Sequence, residues 1–385
     1  MSRRILFLNH VGILGGAEYC LIDMAVAFRE NCQVLLFSDG PLRERLEAQG
    51  VIVNILPAPD SLLGIRTSSG MSSLKSIPAL IQLSRQIATI AQDFDVIHTN
   101  SQKAFVIAAL SKLWGSPPVL WHLRDIMTSR HFSPINRKVA ISLANRFISK
   151  VLIVSQGAAD QFIALGGKPS LVRVIYDGIP PDPFIKVTPE QITAVRTELG
   201  IGDAPLLGAF SRLSPWKGQH ILVEALYQLP EEVHALIVGD ALFGESDYVK
   251  TFKAAIADPK IAHRVHWLGF RTDVPVLMSA CDIVVHTSTE PEPCARVGVE
   301  GQLAEKPVIA ANAGGMPEIV EDYKTGRLYA PGDVGALATA LQEMLSDTEA
   351  LSLMAKQGKA HALSRFSLAN CIGDIESVIE EVVTA

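Results

Sequence analysis

The sequence predicts an α/β protein of two doubly wound parallel-sheet domains. Its 385 residues are too many for one hydrophobic core, since single cores stop growing at roughly 250–300 residues. Short apolar runs rich in β-branched residues alternate with longer amphipathic segments, which is typical of repeated strand–helix–strand units. Such units build parallel sheets that helices cover on both faces. The alternation pauses once and then restarts, so we expect two domains.

The first domain is expected at residues 1–184. Its predicted strands are, in order, RILFLN, CQVLLFS, VIVNIL, DVIHTN, PVLWHL and KVLIVS. Helical patterns such as AEYCLIDMAVAFRE and SIPALIQLSRQIATIAQ separate them. The stretch LVRVIYDGIPPDPF then lacks strong periodicity and carries several prolines, which indicates a linker.

The second domain is expected at residues 185–365. Its predicted strands are APLLGAFSRL, VHALIVGD, RVHWLGF, CDIVVHTS, KPVIAAN and TGRLYAP, again separated by helical patterns. Ligands of doubly wound sheets bind outside the carboxyl ends of the strands. We therefore expect the functional residues at strand exits, facing a cleft between the two domains.

Composition excludes several classes of protein. With 48% hydrophobic and 19% charged residues, the chain is typical of a soluble globular protein. Its 5 cysteines are odd in number and form no C-x-x-C pair, so neither a disulfide framework nor a thiolate zinc site is expected. No apolar stretch approaches the roughly 20 residues of a membrane-spanning helix, and Asn9 and His10 interrupt the apolar start too early for a signal peptide. We expect a cytoplasmic protein.

Charge is distributed unevenly along the chain. Residues 1–184 hold 18 Lys and Arg against 13 Asp and Glu, a balance of +5, whereas the remainder holds 16 against 27, a balance of −11. A basic cluster lies in the first half, at Arg124, Arg130, Arg137, Lys138, Arg146 and Lys150. The pattern favours a solvated helix face. It leaves open an anionic acceptor or peripheral contact with the inner face of a membrane.

Two cations follow the predicted strand LLGAFS. Arg212 supplies a planar guanidinium and Lys217 a point charge, both close to the start of the helix QHILVEAL. Such a pair beside a helix N-terminus can bind a diphosphate. The alternative is a pair of solvated loop cations.

Three glycines separate the first strand from its helix. Gly12, Gly15 and Gly16 allow a backbone to approach a ligand closely, and they are equally common in simple turns. Their spacing is not G-x-G-x-x-G, so a nicotinamide cofactor is not supported.

Carboxylates surround the exit of the strand CDIVVHTS. Glu292 follows it in a loop, and a helix that begins near Ala295 or Arg296 would carry Glu300 within its first two turns. The first N–H groups of that helix, on Arg296 and Val297, can bind phosphate oxygens. One carboxylate can then accept hydrogen bonds from sugar hydroxyls and the other from a ribose. Taken alone, an exposed loop charge and a first-turn carboxylate that favours the helix dipole explain both residues equally well.

These pieces together resemble the retaining GT-B glycosyltransferases of family 4. The resemblance rests on Glu292-x7-Glu300, on SRLSPWKG around Arg212 and Lys217, on VGD at 238–240 and LGF at 268–270, and on PVIAANAGGMPEIVEDYKTGRLYAPGD at 307–333. It covers nearly the whole chain and is strongest in the second half. It implies the GT-B fold, in which two Rossmann-like domains face a cleft. It also implies a C-terminal helix at 366–385 that crosses back onto the first domain.

The resemblance implies a role for individual residues. Glu300 would bind the ribose, and Glu292 the hydroxyls of the donor sugar. Arg212 and Lys217 would neutralise the departing diphosphate, and His122 of the first domain would touch the donor sugar, although a cleft-lining role for this histidine stays open. The remaining implied donor-binding residues are Gly15, Gly16, Phe270, Arg271, Cys294, Ala295, Arg296 and Val297.

Three positions close to Glu292 and Glu300 depart from the family pattern. Ala295 stands where glycine is usual, Cys294 where phenylalanine is common, and Gly301 where alanine is usual. The additional Cβ at Ala295 crowds a backbone that lies close to the sugar, so the donor sugar cannot be read from the pattern.

The resemblance thus implies a retaining transfer of a hexose from a UDP- or GDP-linked sugar to a saccharide or lipid-linked acceptor. Because cations already lie at the expected diphosphate site, no metal is expected. Catalysis would come mainly from electrostatic stabilisation and positioning. No cofactor and no nucleic-acid partner are expected. The D-x-D spelled by DFD at 93–95 precedes its strand and so lies at the wrong end for a metal in the cleft. The alternatives are a nucleotide-sugar epimerase, a phosphorylase and a non-catalytic sugar-nucleotide-binding protein.

Overall fold

The computed structural model of the protein describes residues 3–59, 62, 77–128, 132–241 and 245–384. Its contacts divide the chain into two units: unit 1 is Met1–Gly178 with Leu368–Ala385, and unit 2 is Ile179–Ser367. Each unit has its own parallel sheet and its own buried apolar clusters. The predicted fold class, two doubly wound Rossmann-like domains, is confirmed.

Unit 1 is built on a parallel sheet. Within the described residues its strands are β1 (Ile5–Asn9), β2 (Cys32–Leu36), β3 (Ile52–Ile55), β4 (Val96–Thr99), β5 (Val119–Leu123), β6 (Lys150–Ile153) and β7 (Val172–Val174). They lie in the order β3-β2-β1-β4-β5-β6-β7. All of the strands predicted for this half are present.

Helices cover both faces of this sheet. They are α1 (Gly16–Ala27), α2 (Pro41–Glu47), α3 (Ile77–Ile90), α4 (Gln102–Ser111), α5 (Pro134–Phe147), α6 (Gln156–Ala164) and the C-terminal α16 (Leu368–Thr384). Two of the starts follow local sequence signals: Ser133 and Ser155 accept hydrogen bonds from the N–H of the third residue of α5 and α6. Trp121 of β5 stacks on Phe105 of α4 with ring centroids 3.8 Å apart, at the centre of the core.

The C-terminal helix α16 belongs to unit 1. Its apolar face, with Ile375 and Val378, is buried in the same cluster as Ile5 and Phe7 of β1. Its polar face reaches the sheet as well, because Glu381 pairs with Lys150 of β6 at 2.8 Å. The helix therefore completes one face of the first sheet.

Unit 2 repeats the plan. Within the described residues its strands are β8 (Leu206–Phe210), β9 (His234–Val238), β10 (Val265–Gly269), β11 (Ile283–His286), β12 (Val308–Ala311) and β13 (Gly326–Tyr329). Its helices are α7 (Asp182–Ile185), α8 (Pro189–Leu199), α9 (Gln219–Leu226), α10 (Ser246–Ile256), α11 (Val274–Ala280), α12 (Arg296–Leu303), α13 (Met316–Ile319), α14 (Val334–Ser346) and α15 (Thr348–Arg365). All predicted strands of this half are present.

The expected linker is more regular than the sequence indicated. β7 lies inside it and pairs with β6; its three residues are too few to show a period of two. Pro189 begins α8, where Thr188 and Gln191 form a capping box. Residues 179–184 group with unit 2, because Ile179 donates its N–H to Phe366 at 2.9 Å and α7 packs on that unit. The boundary thus falls after residue 178 and not after 184.

Strand order locates the switch point of the second sheet. The order is β10-β9-β8-β11-β12-β13, so the chain turns outward in opposite directions from β8 and from β11. These two strands are direct neighbours, with Val284 opposite Gly208. In doubly wound sheets ligands bind at the carboxyl ends of such a pair. Among the described residues, no helix is both long and apolar enough to cross a membrane.

Candidate active site

The candidate site lies in unit 2, at the exits of β8 and β11. Arg212 follows β8, and Lys217 ends a short 3-10 turn over Pro215–Lys217. Glu292 lies in the loop between β11 and α12. The structure therefore brings these three predicted residues to the switch point of the sheet.

Backbone contacts tie the two loops together. The Thr287 hydroxyl donates to the carbonyl of Lys217 at 2.7 Å, and the Thr289 N–H donates to the carbonyl of Trp216 at 2.9 Å. Gly218 follows with φ of +68°, and a Cβ there would lie 2.1 Å from the Thr287 oxygen. This position accordingly requires glycine on two counts, its left-handed backbone and the close approach.

The Glu292 carboxylate is the centre of a buried polar cluster. Lys217 Nζ lies 2.5 Å from Glu292 Oε2, and His286 Nε2 lies 2.8 Å from Oε1. The Ser288 hydroxyl also donates to Oε1. The side chain of Glu292 is only 9% exposed, so these protein groups replace its hydration.

This environment keeps Glu292 ionised. Burial by itself would raise the pKa of this carboxyl group. The Lys217 charge and the His286 hydrogen bond outweigh burial and hold the pKa of Glu292 well below its ordinary value. The site therefore contains a fixed negative charge directly beside a cation.

A tryptophan ring gathers the two cations. The Arg212 guanidinium lies 5.4 Å and the Lys217 ammonium 4.5 Å from the centroid of Trp216. Both distances are within the range of a cation–π interaction. Burial lowers the pKa of Arg212, while Glu245 and Glu292 act in the opposite direction. Trp216 was not among the predicted site residues, although its place between the two cations in SRLSPWKG is a sequence signal.

Helix α12 begins where the sequence predicted. Ala295 is its N-cap and makes no side-chain capping bond, and Arg296 is its first residue. The first N–H groups of a helix have no intrahelical acceptor, so those of Arg296 and Val297 are placed to bind an anion. Glu300 pairs with Arg296 at 3.2 Å, so a ribose would have to compete with this contact. Cys294 is half-buried at the same loop.

The loop after β12 holds Glu292 from its backbone side. Gly315 donates its N–H to the Glu292 carbonyl at 2.8 Å. Gly314 has φ of +62°, and a Cβ on it would lie 2.0 Å from the same oxygen. The adjacent glycines of NAGGMPEIV thus allow this loop to reach the site, a role that was not predicted for them.

Phe270 and Arg271 follow β10, at the same edge of the sheet. The Phe270 side chain is 62% exposed, which is unusual for a phenylalanine. Arg271 is held by Asp273 at 2.6 Å and by Glu198 at 3.8 Å. An exposed ring beside a strand exit suits stacking on a base. Contact of these residues with a base stays a prediction.

In unit 1 the predicted glycines lie at the start of α1. Gly15 is its N-cap in an extended conformation, and a Cβ on Gly16 would meet no atom within 4 Å. The crowded glycine is Gly12, where a Cβ would lie 2.5 Å from the Asp39 backbone. The open surroundings of Gly16 leave room for a ligand, and the role of both glycines stays a prediction.

His122 is buried at the end of β5. Its Nδ1 lies 3.1 Å from His98 Nε2 and 3.3 Å from the Arg124 guanidinium. Arg124 in turn forms an ion pair with Asp177. Burial, and then the Arg124 charge, lower the pKa of His122, so its ring is neutral. With its side chain 0% exposed, His122 supports Arg124, and contact with a donor sugar stays a prediction. His98, expected to be structural, is fully buried beside it.

One of the two carboxylates before β4 has a structural partner. Asp95 accepts the N–H of Arg4 at 2.7 Å, at the amino end of the sheet. Among the described residues, no group of three or more His, Cys, Asp or Glu side chains is arranged to hold a metal ion.

His286 and Ser288 were missed at the sequence level. Both lie within CDIVVHTS, His286 at the end of the strand and Ser288 two residues later, and the signal was a polar pair at the exit of an otherwise apolar strand. Their role depends on the loop that returns the Glu292 side chain to the end of β11, six residues after His286. No local sequence pattern predicts that return.

Two doubly wound parallel sheets, the second with a cationic, carboxylate-bearing switch point, agree with the architecture of the GT-B glycosyltransferases. Residues 14–183 match the family model for Glycosyltransferase Family 4, and residues 191–361 match the one for glycosyl transferases group 1. The chain belongs to glycosyltransferase family 4, and it is an enzyme that transfers sugar from a nucleotide sugar.

Individual relatives agree with this assignment. The chain is 40% identical to HepE of Anabaena, solved in complex with UDP and glucose; the match covers 98% of this chain and 100% of that one, with a TM-score of 0.89. It is 31% identical over 301 residues to spore coat protein SA of Bacillus subtilis, covering 75% of this chain and 78% of that one. A GDP-mannose-dependent α-(1-6)-phosphatidylinositol monomannoside mannosyltransferase of Mycolicibacterium smegmatis is 28% identical over 224 residues, which span 56% of this chain and only 58% of that protein.

Proposed function

We propose that the protein transfers a hexose from UDP-glucose, or a closely related UDP-hexose, to an acceptor hydroxyl with retention of anomeric configuration. The observation that carries the proposal is the cluster of Arg212, Lys217 and Glu292 at the switch point of unit 2. HepE, 40% identical over nearly the whole chain, has been solved with UDP and with UDP-glucose, which favours uridine over guanosine.

The cations supply the main chemical assistance. When the bond from the anomeric carbon to the diphosphate breaks, negative charge grows on the diphosphate. Arg212 and Lys217, with the N-terminus of α12, stabilise that charge, and they are already gathered at Trp216 before the donor binds. The Lys217 ammonium exchanges Glu292 for the diphosphate when the donor binds, so it needs no further reorganisation as the bond breaks.

Glu292 acts on the sugar as a positioning group. Its low pKa makes it a permanent acceptor of hydrogen bonds from hydroxyls. Both of its oxygens already accept hydrogen bonds, which weakens it as a covalent nucleophile.

The acceptor is proposed to bind through unit 1, as a saccharide or a lipid-linked molecule. The outer face of α5 exposes 59% of Ile135 and 46% of Val139, with Lys138 and Arg146 beside them. Aliphatic groups flanked by cations suit the surface of an anionic membrane. Arg124 does not contribute, because it is buried with Asp177, and Arg130 lies outside the described residues. Sedimentation with phosphatidylglycerol vesicles tests this contact: we expect binding that Lys138→Glu weakens and that salt reduces.

A panel of nucleotide sugars tests the donor. We expect UDP-glucose and UDP to raise the melting temperature more than GDP-mannose does, because a ligand that binds the folded state stabilises it. Turnover of UDP-glucose should persist in EDTA. Incubation of donor without acceptor distinguishes the alternatives: a new epimeric nucleotide sugar would indicate an epimerase, and binding with no turnover under any condition a sensor.

A further inference from the structure

The two oxygens of Glu292 are held by different kinds of partner. Oε1 accepts from His286 Nε2 at 2.8 Å and from the Ser288 hydroxyl. Among the described residues, Oε2 is held by Lys217 alone, at 2.5 Å. One oxygen therefore has a histidine and a hydroxyl as donors, and the other has the lysine ammonium.

The partners of Oε1 are fixed in place. His286 is the last residue of β11, where it pairs with Ala310 of β12, and its side chain is 5% exposed. The Tyr329 hydroxyl donates to its carbonyl at 3.3 Å. Because β12 pairs with this end of β11, we expect the backbone of His286 to keep its position when a ligand binds.

The partner of Oε2 can move. Lys217 carries its ammonium on a flexible four-carbon stem, while the Thr287 hydroxyl holds its backbone carbonyl. A diphosphate offers more negative charge than one carboxylate, so it competes for this ammonium. When Lys217 turns to the diphosphate, Oε2 is left without its cation.

We propose that His286 is a positioning residue that, with Ser288, fixes Oε1 of Glu292 so that Oε2 alone changes partner, from Lys217 in the free protein to a hydroxyl of the donor sugar. This inference rests on the proposed function. Without the His286 bond, the carboxylate would rotate about its soft terminal torsion once Lys217 had left. With it, the oxygen that Lys217 releases already points to the sugar.

The hydrogen-bond network assigns the histidine tautomer. A carboxylate can only accept, so Nε2 must carry the proton and donate it. Nδ1 is buried with no hydrogen-bond partner among the described residues. The geometry therefore places a proton of His286 on Nε2, where it is donated to Glu292.

Two substitutions at His286 test the proposal. His286→Leu removes the donor at similar volume, and His286→Gln offers an amide N–H at a similar reach. We expect the Leu variant to weaken UDP-glucose binding and to slow its hydrolysis, each by about tenfold, with UDP affinity within about threefold of wild type. The Gln variant should recover most of both losses. Calorimetry with UDP and UDP-glucose, and hydrolysis without acceptor, supply the numbers.

His234→Leu is the matched control. His234 is a half-buried histidine that bonds His266 at 3.1 Å, at the opposite end of the same sheet. Its loss should leave both affinities unchanged. If His286→Leu does not fold, Ser288→Ala replaces it, since Ser288 donates to the same oxygen; a smaller loss selective for UDP-glucose is then expected.

Several results would overturn the inference. They are an unchanged UDP-glucose affinity in the Leu variant, an equal loss of UDP and UDP-glucose affinity, or failure of the folded Gln variant to recover. Nitrogen NMR of the histidine side chains adds a direct reading, and a ring protonated on Nδ1 alone contradicts the assignment. If the wild-type protein binds no nucleotide sugar at all, both the proposed function and this inference are wrong. If the wild-type protein turns over UDP-glucose and His286→Leu behaves in the same way, only the inference is wrong.

Discussion

At the scale of single residues, the site balances one buried carboxylate against one cation. Glu292 would be costly to bury alone, and Lys217, His286 and Ser288 compensate it. The sequence predicted Lys217 and Glu292 through their spacing and family pattern. It did not predict that they contact each other, because 75 positions separate them and only the pairing of β8 with β11 brings them together.

Lys217→Ala should reduce catalysis more than donor binding. The ammonium matters most when the diphosphate carries its full leaving charge, so its removal affects the transition state more than the ground state. We expect kcat to fall by about a hundredfold and the Kd of UDP-glucose to rise by less than about tenfold. Lys250→Ala, at an exposed lysine of α10 that is 79% accessible, is the control and should change neither. Equal losses in kcat and affinity would contradict this role.

The same pair predicts how stability depends on pH. The folded protein holds the pKa of Glu292 below its unfolded value, so the pair stabilises the fold above the unfolded pKa of about 4.3 and loses this effect as pH falls further. Lys217→Met should cost about 3 kcal/mol of unfolding free energy at pH 7. At pH 3.5 the difference in unfolding free energy between the variant and the wild type should be smaller than at pH 7 by about 1 kcal/mol.

Urea unfolding at the two pH values measures this difference. Lys250→Met is the matched variant, because its pair with Asp247 is exposed and should contribute little at either pH. A gap that stayed constant with pH would show that Lys217 acts through packing and not through its charge.

At the scale of elements, periodicity predicted the strands well and their junctions poorly. The 12 runs quoted as strands all contain one, because a parallel sheet buried on both faces needs continuous apolar segments. Periodicity did not predict β7, because it is an edge strand of only three residues. The sequence also did not predict that positions 218 and 314 require glycine. At both Gly218 and Gly314, the crowding comes from a neighbouring loop and not from their own segment.

Alanine substitutions at two glycines with the same φ distinguish the cost of left-handed backbone strain from the cost of a steric clash. Gly218 and Gly200 both have φ of +68°, but a Cβ would lie 2.1 Å from Thr287 at the first and would meet nothing within 4 Å at the second. Gly200→Ala should therefore cost only the left-handed strain, about 1–2 kcal/mol. Gly218→Ala should cost this and also displace the Lys217 turn, so it alone should lose UDP-glucose turnover, by about tenfold or more.

Chemical denaturation and donor hydrolysis on both variants check the comparison. Similar stability losses with activity lost only in Gly218→Ala would still support the link between loop contact and function. Full activity in Gly218→Ala would show that the contact with Thr287 does not position Lys217.

At the scale of the whole molecule, the chain leaves unit 1 and returns to it. α16 is the last element in sequence, yet its apolar face fills the core beneath β1, the first strand. The family resemblance implied that return, whereas the helical periodicity of the tail predicted only that a helix forms. Long-range placement of this kind depends on which apolar face is left uncovered in the folded sheet, and no local pattern carries that information.

This arrangement predicts which unit each perturbation affects. Ile375 of α16 is fully buried in unit 1, so Ile375→Ala should remove about 2–4 kcal/mol from the stability of that unit. UDP, which we propose binds at the switch point of unit 2, should stabilise unit 2 by mass action. Scanning calorimetry of wild type and variant, with and without saturating UDP, measures both effects. We expect two transitions, of which Ile375→Ala lowers one and UDP raises the other. Hydrogen exchange assigns them, through the amides of β1 in unit 1 and β11 in unit 2. If the substitution and the nucleotide instead shifted one common transition, the two units would unfold together as one cooperative body. The expectation that each core unfolds independently would then be wrong.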